Sequence, residues 1–136
     1  QVSTLLRTSL DLKPKVGKSK IPLDFNIKLN KDKTNKMNMQ ILIAYKDILF
    51  QQSEDGTRFN SVLTAHLSIY DSKDKKIQQI SKDYPISMTE EELKKAGKNY
   101  TINVPFRLDP GKYHLEAILE SKTDDIRSRK KIKFKI

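Results

Sequence analysis

Leu108-Asp109-Pro110-Gly111-Lys112-Tyr113 stands between two stretches in which every second residue is apolar. Tyr100, Ile102, Val104, Phe106 and Leu108 lie on one side, and Tyr113, Leu115, Ala117 and Leu119 on the other. Proline sets φ for the second position of a turn and glycine tolerates positive φ at the third, so Pro110-Gly111 predicts a type II turn. Alternation with period two marks strands with one buried face. The two stretches are therefore expected to pair as a β-hairpin.

Upstream the alternation continues. Ile21, Leu23, Phe25, Ile27 and Leu29 share one face of a predicted strand, and residues 30–36 form a polar turn. Met37, Met39, Ile41, Ile43 and Tyr45 repeat the pattern, with Leu42 and Ala44 making the end of that strand apolar on both sides, as a central strand would be. A short apolar piece, Ile48-Leu49-Phe50, precedes Asp55-Gly56, a reversal signal. Leu63, Ala65, Leu67 and Ile69 then face inward on a long strand over 58–70, with Thr64, His66 and Ser68 outward. Residues 71–76 form a solvated turn, and the more polar stretch 77–86 reads as an edge strand.

The period changes at Thr89. Thr89-Glu90-Glu91-Glu92 is a capping box, in which the threonine hydroxyl and the third glutamate satisfy each other's backbone N–H groups. With three acids at its start, Lys94 and Lys95 at its end and Gly97 as terminator, one short helix is predicted near 90–96. After the Pro-Gly turn, residues 121–128 read as a polar loop, and Ile132, Phe134 and Ile136 as the inner face of a last strand. Seven or eight short strands with one brief helix make an all-β, antiparallel, immunoglobulin-like or fibronectin III-like sandwich. Residues 1–20, which contain Pro14 and Gly17, read as an N-terminal arm or linker, and 21–136 as the sandwich domain.

A chain of 136 residues suffices for one core. The hydrophobic content is 36% and the net charge +10, with pI near 9.7. Nine Lys or Arg against Asp11, Asp24 and Asp32 give the first 36 residues a net of +6. Such a balance favours association with nucleic acid, acidic polysaccharide or an anionic surface, but it is also what lysine-rich composition alone produces. The absence of cysteine excludes disulfides, thiolate metal sites and a cysteine nucleophile. No run of eighteen apolar residues exists to span a membrane. Gln1-Val2-Ser3 lacks signal-peptide character, as it would also if a signal had been removed. The abrupt ends, with Ile136 still in strand-like alternation, lead to the expectation of a domain cut from a longer protein.

From Phe50 onward the features follow a specific order: a strand ending in Phe50, the Asp55-Gly56 turn, a strand into Ile69-Tyr70-Asp71, a polar strand, a short acidic helix, Pro110-Gly111-Lys112-Tyr113 and a final strand. This resembles the immunoglobulin-like or fibronectin type III-like region that follows the von Willebrand A-like domain in certain bacterial envelope proteins. A similar region occurs in bacterial proteins carrying a Gly-Trp-x-Thr-Asp domain. The resemblance covers the last two thirds of the chain and implies an accessory module placed extracytoplasmically, in the periplasm, at the surface or secreted. It transfers no functional residue.

Candidate sites are few. His114, Glu116 and Glu120 share one strand face and supply metal-ligating types, yet exposed polar alternation accounts for them equally. Asp71, Asp74, Asp124 and Asp125 lie in loops without the ligand order of a recognised calcium site. Nucleophilic catalysis needs a base positioned beside Ser or Thr, and the two histidines stand near no such turn, so no enzyme and no cofactor are expected. Single glycines at turns do not make a phosphate loop, and no small-molecule substrate is expected.

Arg129, Lys131, Lys133 and Lys135 form a cationic row with a spacing of about 7 Å on one strand face, and Lys13, Lys15, Lys18 and Lys20 add charge in the arm. Such a row can track phosphates or simply protect a sheet edge from pairing; the second is preferred, because outward lysines on a terminal strand commonly serve that end and because no aromatic residue interleaves with that face. The favoured function is a non-enzymatic interaction or spacer module that binds a protein partner or neighbouring domains through sheet edges such as 77–86 or through the turns at Asp55-Gly56 and Pro110-Gly111. The alternative is an electrostatic binder of nucleic acid or acidic polysaccharide through the arm and the last strand.

Overall fold

The computed structural model describes Leu5–Leu6, residues 23–32 and residues 36–136. Nine strands are present among them: β1 (Leu5–Leu6), β2 (Asn26–Lys31), β3 (Lys36–Ala44), β4 (Phe50–Gln52), β5 (Arg58–Asp71), β6 (Lys76–Thr89), β7 (Asn99–Arg107), β8 (Lys112–Ser121) and β9 (Ile126–Lys135). All pairings are antiparallel, and the strands form two sheets. One sheet is β2-β3-β7. In the other, β5 pairs along its length with β6 on one side. On its other side it pairs first with β4, which carries β1, and then with β8, which carries β9.

The core between the sheets is made of the alternating residues. Met37, Met39, Ile41 and Ile43 from β3 meet Ile102, Val104 and Phe106 from β7, and Leu63, Ala65, Leu67 and Ile69 from β5 lie across from them with Leu115, Ala117 and Leu119 from β8. All are buried. Removing these aliphatic side chains from water is the main stabilising term. The centrality expected of β3 holds, since it bonds to β2 and β7. Pro85 and Pro105 fall on β6 and β7, each paired on one side only among the described residues, where a missing N–H breaks no ladder bond.

The helix α1 (Glu90–Lys95) carries the chain from β6 in one sheet to β7 in the other, and Leu93 anchors it in the core. Its capping box forms as predicted: the Glu92 N–H donates to Thr89 Oγ1 at 3.1 Å, and the Thr89 N–H donates to Glu92 Oε1 at 2.8 Å. The Asp55-Gly56 reversal also forms, with Gly56 at φ +75° and the β4–β5 hairpin around it.

The expected hairpin at Pro110-Gly111 does not form. β7 pairs with β3 and β8 pairs with β5 and β9, so the chain crosses from one sheet to the other at this point. Gly111 has no positive φ, so the type II turn is absent as well. Its N–H and carbonyl instead bond to the carbonyl and N–H of Ile136 at 3.0 and 2.9 Å, continuing the β8–β9 ladder. The Tyr113 hydroxyl donates to the Asp109 carbonyl at 2.6 Å and braces the crossing, the arrangement known as a tyrosine corner at sheet-to-sheet connections. Alternation specifies which face of each strand is buried; it does not specify the neighbour.

Several boundaries shift, among them the far end of the strand read over 77–86, which runs on to Thr89, and the end of β3, which stops at Ala44 with Tyr45 in a short 3-10 turn. β2 begins at Asn26, although Leu23 and Phe25 ahead of it are buried as expected of the strand face. The polar loop over 121–128 contracts to the turn before Ile126, closed by Asp125 at φ 53°. Polar residues at inward positions of β9 hid its start: Lys130 extends over the Phe25 ring, 5.4 Å from its centre, and its ammonium lies 3.5 Å from the Asp24 carboxylate. Ile21 and most of the N-terminal arm lie outside the described residues. Among the described residues no helix is long and apolar enough to cross a membrane.

Candidate functional site

The sheet containing β9 turns its outer face to solvent, and its cross-strand rows decide what the cationic residues can do. β9 pairs with β8 so that Arg127 faces Glu120, Arg129 faces Ile118, Lys131 faces Glu116, Lys133 faces His114 and Lys135 faces Lys112. Arg129, Lys131, Lys133 and Lys135 all project from the exposed side, as the alternation predicts. Lys13, Lys15, Lys18 and Lys20 lie outside the described residues.

Two glutamates on β8 engage the first half of the row. Arg127 donates to Glu120 Oε2 at 3.0 Å, and this bond holds the Glu120 carboxyl below the usual range. Glu116 Oε2 lies 3.6 Å from Arg129 Nε and 3.7 Å from Lys131 Nζ. Farther across the sheet the Thr64 hydroxyl donates to Asp83 at 2.6 Å, the main cause of that carboxyl's lowered pKa, and Lys122 approaches Asp83 at 3.4 Å. Each of these pairs is worth little in stability. Together they replace a continuous basic track by an alternating surface.

The second half of the row differs. Lys76 on β6, Tyr70 on β5, His114 on β8 and Lys133 on β9 are consecutive cross-strand neighbours. The Tyr70 and His114 rings stack with centroids 4.8 Å apart and planes 8° from parallel, and Lys76 Nζ lies 5.8 Å from the centre of the Tyr70 ring. The expectation that aromatics are missing from this face is thus corrected: they come from neighbouring strands. Period-two reading along one strand cannot detect them, because the row runs across the chain direction.

His114, Glu116 and Glu120 do not converge as a metal site. His114 Nε2 faces Asp74 at 3.7 Å, and Glu116 and Glu120 face the cations of β9. His66, the other histidine, bonds through Nδ1 to the Ser81 hydroxyl at 2.9 Å. The loop carboxylates organise their own turns. Asp71 Oδ1 accepts from the Lys73 and Lys75 N–H groups, both at 2.9 Å, which lowers its pKa. Asp74 and Asp125 occupy left-handed positions, a conformation that aspartate tolerates. Between the β5–β6 turn and the ends of β8 and β9 lies a shallow groove of about 560 Å³, whose lining includes Asp74, Lys112, His114, Lys133 and Lys135.

No protein-family model matches the chain, and no curated protein matches it. Among solved structures, a β-glucuronidase from Bacteroides uniformis is similar over 82% of this chain at 14% identity and TM-score 0.46; the chain spans 13% of that protein. The ApaA protein from Bordetella pertussis is similar over 83% of this chain and 92% of its own at 12% identity and TM-score 0.31.

Proposed function

We propose that the chain is a non-enzymatic accessory module of a larger bacterial envelope-associated or secreted protein, which acts by presenting the surface of its sandwich to a protein partner or to neighbouring domains. The observation that carries this reading over electrostatic binding of a long polyanion is the engagement of Arg127, Arg129 and Lys131 by Glu116 and Glu120. A polymer tracking β9 would have to displace these carboxylates or endure their repulsion. The two-sheet connectivity and the tyrosine bracing the β7–β8 crossing support the immunoglobulin-like reading of the sandwich, an architecture common in cell-surface domains. The outer edge of β6, unpaired among the described residues, is the contact surface favoured here.

Immunoblotting of fractionated source cells with an antibody against this domain tests the reading. A band well above 15.8 kDa in the envelope or secreted fraction is expected. A cytoplasmic band near 15.8 kDa would overturn it, as would heparin or single-stranded DNA binding that falls steeply with salt and disappears in the double variant Lys131→Glu, Lys133→Glu.

A further inference from the structure

The geometry points to a second feature, independent of the module reading: the groove at the ends of β8 and β9 is a binding site for a compact, doubly charged tetrahedral oxyanion of the phosphate class. It starts from a mismatch. Elsewhere on this face, pairs across β8 and β9 join opposite charges, Glu120 with Arg127 and Glu116 with Lys131. At the groove, Lys112 stands directly opposite Lys135. Like charges facing each other across an antiparallel pair destabilise it. Such local conflicts, in a chain otherwise consistent with its fold, concentrate at functional sites.

Lys133 follows on the same face, beside His114. Lys112, Lys133 and Lys135 have no ion-pair partner among the described residues, and all three line the groove. Opposed residues on adjacent strands lie about 5 Å apart and alternate residues along a strand about 7 Å apart. Three long, flexible stems from these points can bring their ammonium groups to one small anion. Lysine contacts phosphate as a point charge with three donors, so no forked arginine geometry is required.

Three rings line the site, those of His114, Tyr113 and Phe134. His114 stacks on Tyr70 behind it, and Tyr113 and Phe134 stack on each other with centroids 5.7 Å apart, so these rings wall the site instead of offering a platform for a base. That arrangement favours a compact anion over single-stranded nucleic acid, which needs exposed aromatic faces. Asp74, 3.7 Å from His114, is the one carboxylate in the lining and is 86% exposed. A dianion among three lysines outweighs it, whereas a single carboxylate ligand has half the attraction to them.

The test is an NMR titration of the ¹⁵N-labelled full chain at low ionic strength with inorganic phosphate, glucose 6-phosphate and acetate in separate arms. The expected result is saturable shifts confined to the amides around Lys112, His114, Lys133 and Lys135 with both phosphates, and none with acetate. The double variant Lys112→Gln, Lys135→Gln is expected to bind about tenfold or more weakly, as for the loss of charge-assisted hydrogen bonds. Lys131→Gln, whose lysine faces Glu116, is expected to bind as the parent does. Tighter binding of the sugar phosphate than of the free ion assigns the site to phosphomonoesters; equal binding assigns it to the free anion. Linear shifts spread over all lysines, acetate saturating as tightly as phosphate, or an equal loss in Lys131→Gln would overturn the proposal.

Discussion

Tyr113 donates its hydroxyl to the carbonyl of Asp109, four residues upstream, at 2.6 Å, while its ring stacks on Phe134 with centroids 5.7 Å apart. One side chain thus ties the β7–β8 crossing to the last strand. Tyr113→Phe keeps the ring and removes the bond, and is expected to cost about 1 kcal/mol. Tyr113→Ala removes both and should cost more. Urea denaturation measures each: the midpoint should fall with an unchanged slope if only stability is lost.

Asp55 gives the β4–β5 turn a pH dependence. Its carboxylate accepts from the Ser53 hydroxyl at 2.7 Å and from the Thr57 hydroxyl and N–H at 2.8 and 3.1 Å, and its pKa is lowered from 3.8 to about 2. A carboxyl lowered on folding stabilises the native state above its unfolded pKa, and that contribution disappears as the pH falls through its folded value. The parent is therefore expected to exceed Asp55→Ala in stability at neutral pH, with the difference shrinking between pH 3.8 and about pH 2. Denaturation of both proteins across that window checks it; a constant difference would refute the turn's role.

Two glycines respond oppositely to the same change. Gly56 sits at φ +75°, and an added Cβ would lie 3.3 Å from Gln52 Nε2, so Gly56→Ala is expected to destabilise by about 1 kcal/mol. Gly97 lacks a positive φ and has nothing within 4 Å of that position. There the substitution should be neutral or stabilising by up to about 1 kcal/mol, through the reduced freedom of the unfolded chain. Thermal melts of the two variants decide between the signs.

Charge reversal on β9 is expected to change sign along one strand. Lys131→Glu would face Glu116 and lower stability by about 0.5 kcal/mol, whereas Lys135→Glu would face Lys112 and raise it by a similar amount. Both effects should fade at high salt, because these side chains are exposed and screened. Equal changes in the two variants would mean that net charge, and not register, governs the effect.

Much of this was legible in the chain. Leu63, Ala65, Leu67 and Ile69 are buried as their spacing requires, and Thr89 and Glu92 form the capping box that their spacing announces. The candidate row Arg129, Lys131, Lys133 and Lys135 lies exposed on one face as predicted. Its meaning was not legible. Glu116, Lys112 and Tyr70 reach it through hydrogen-bonded register between strands, and the period-two pattern of one strand carries no information about its neighbour's register.

By itself the sequence determined the antiparallel all-β class, the buried faces of β3, β5, β7 and β8, the single short helix and the Asp55-Gly56 turn, because these depend on residues close together in the chain. Only the tertiary structure decided that Pro110-Gly111 marks a crossing between sheets. The same holds for the alternation of matched and mismatched charges along β9. Alternation requires that Ile102, Val104 and Phe106 be covered, but β3 and β8 could each have supplied the pairing edge. The choice rests on closing a common core with Tyr113 bracing the corner, a condition met by the whole fold and by no local segment of it.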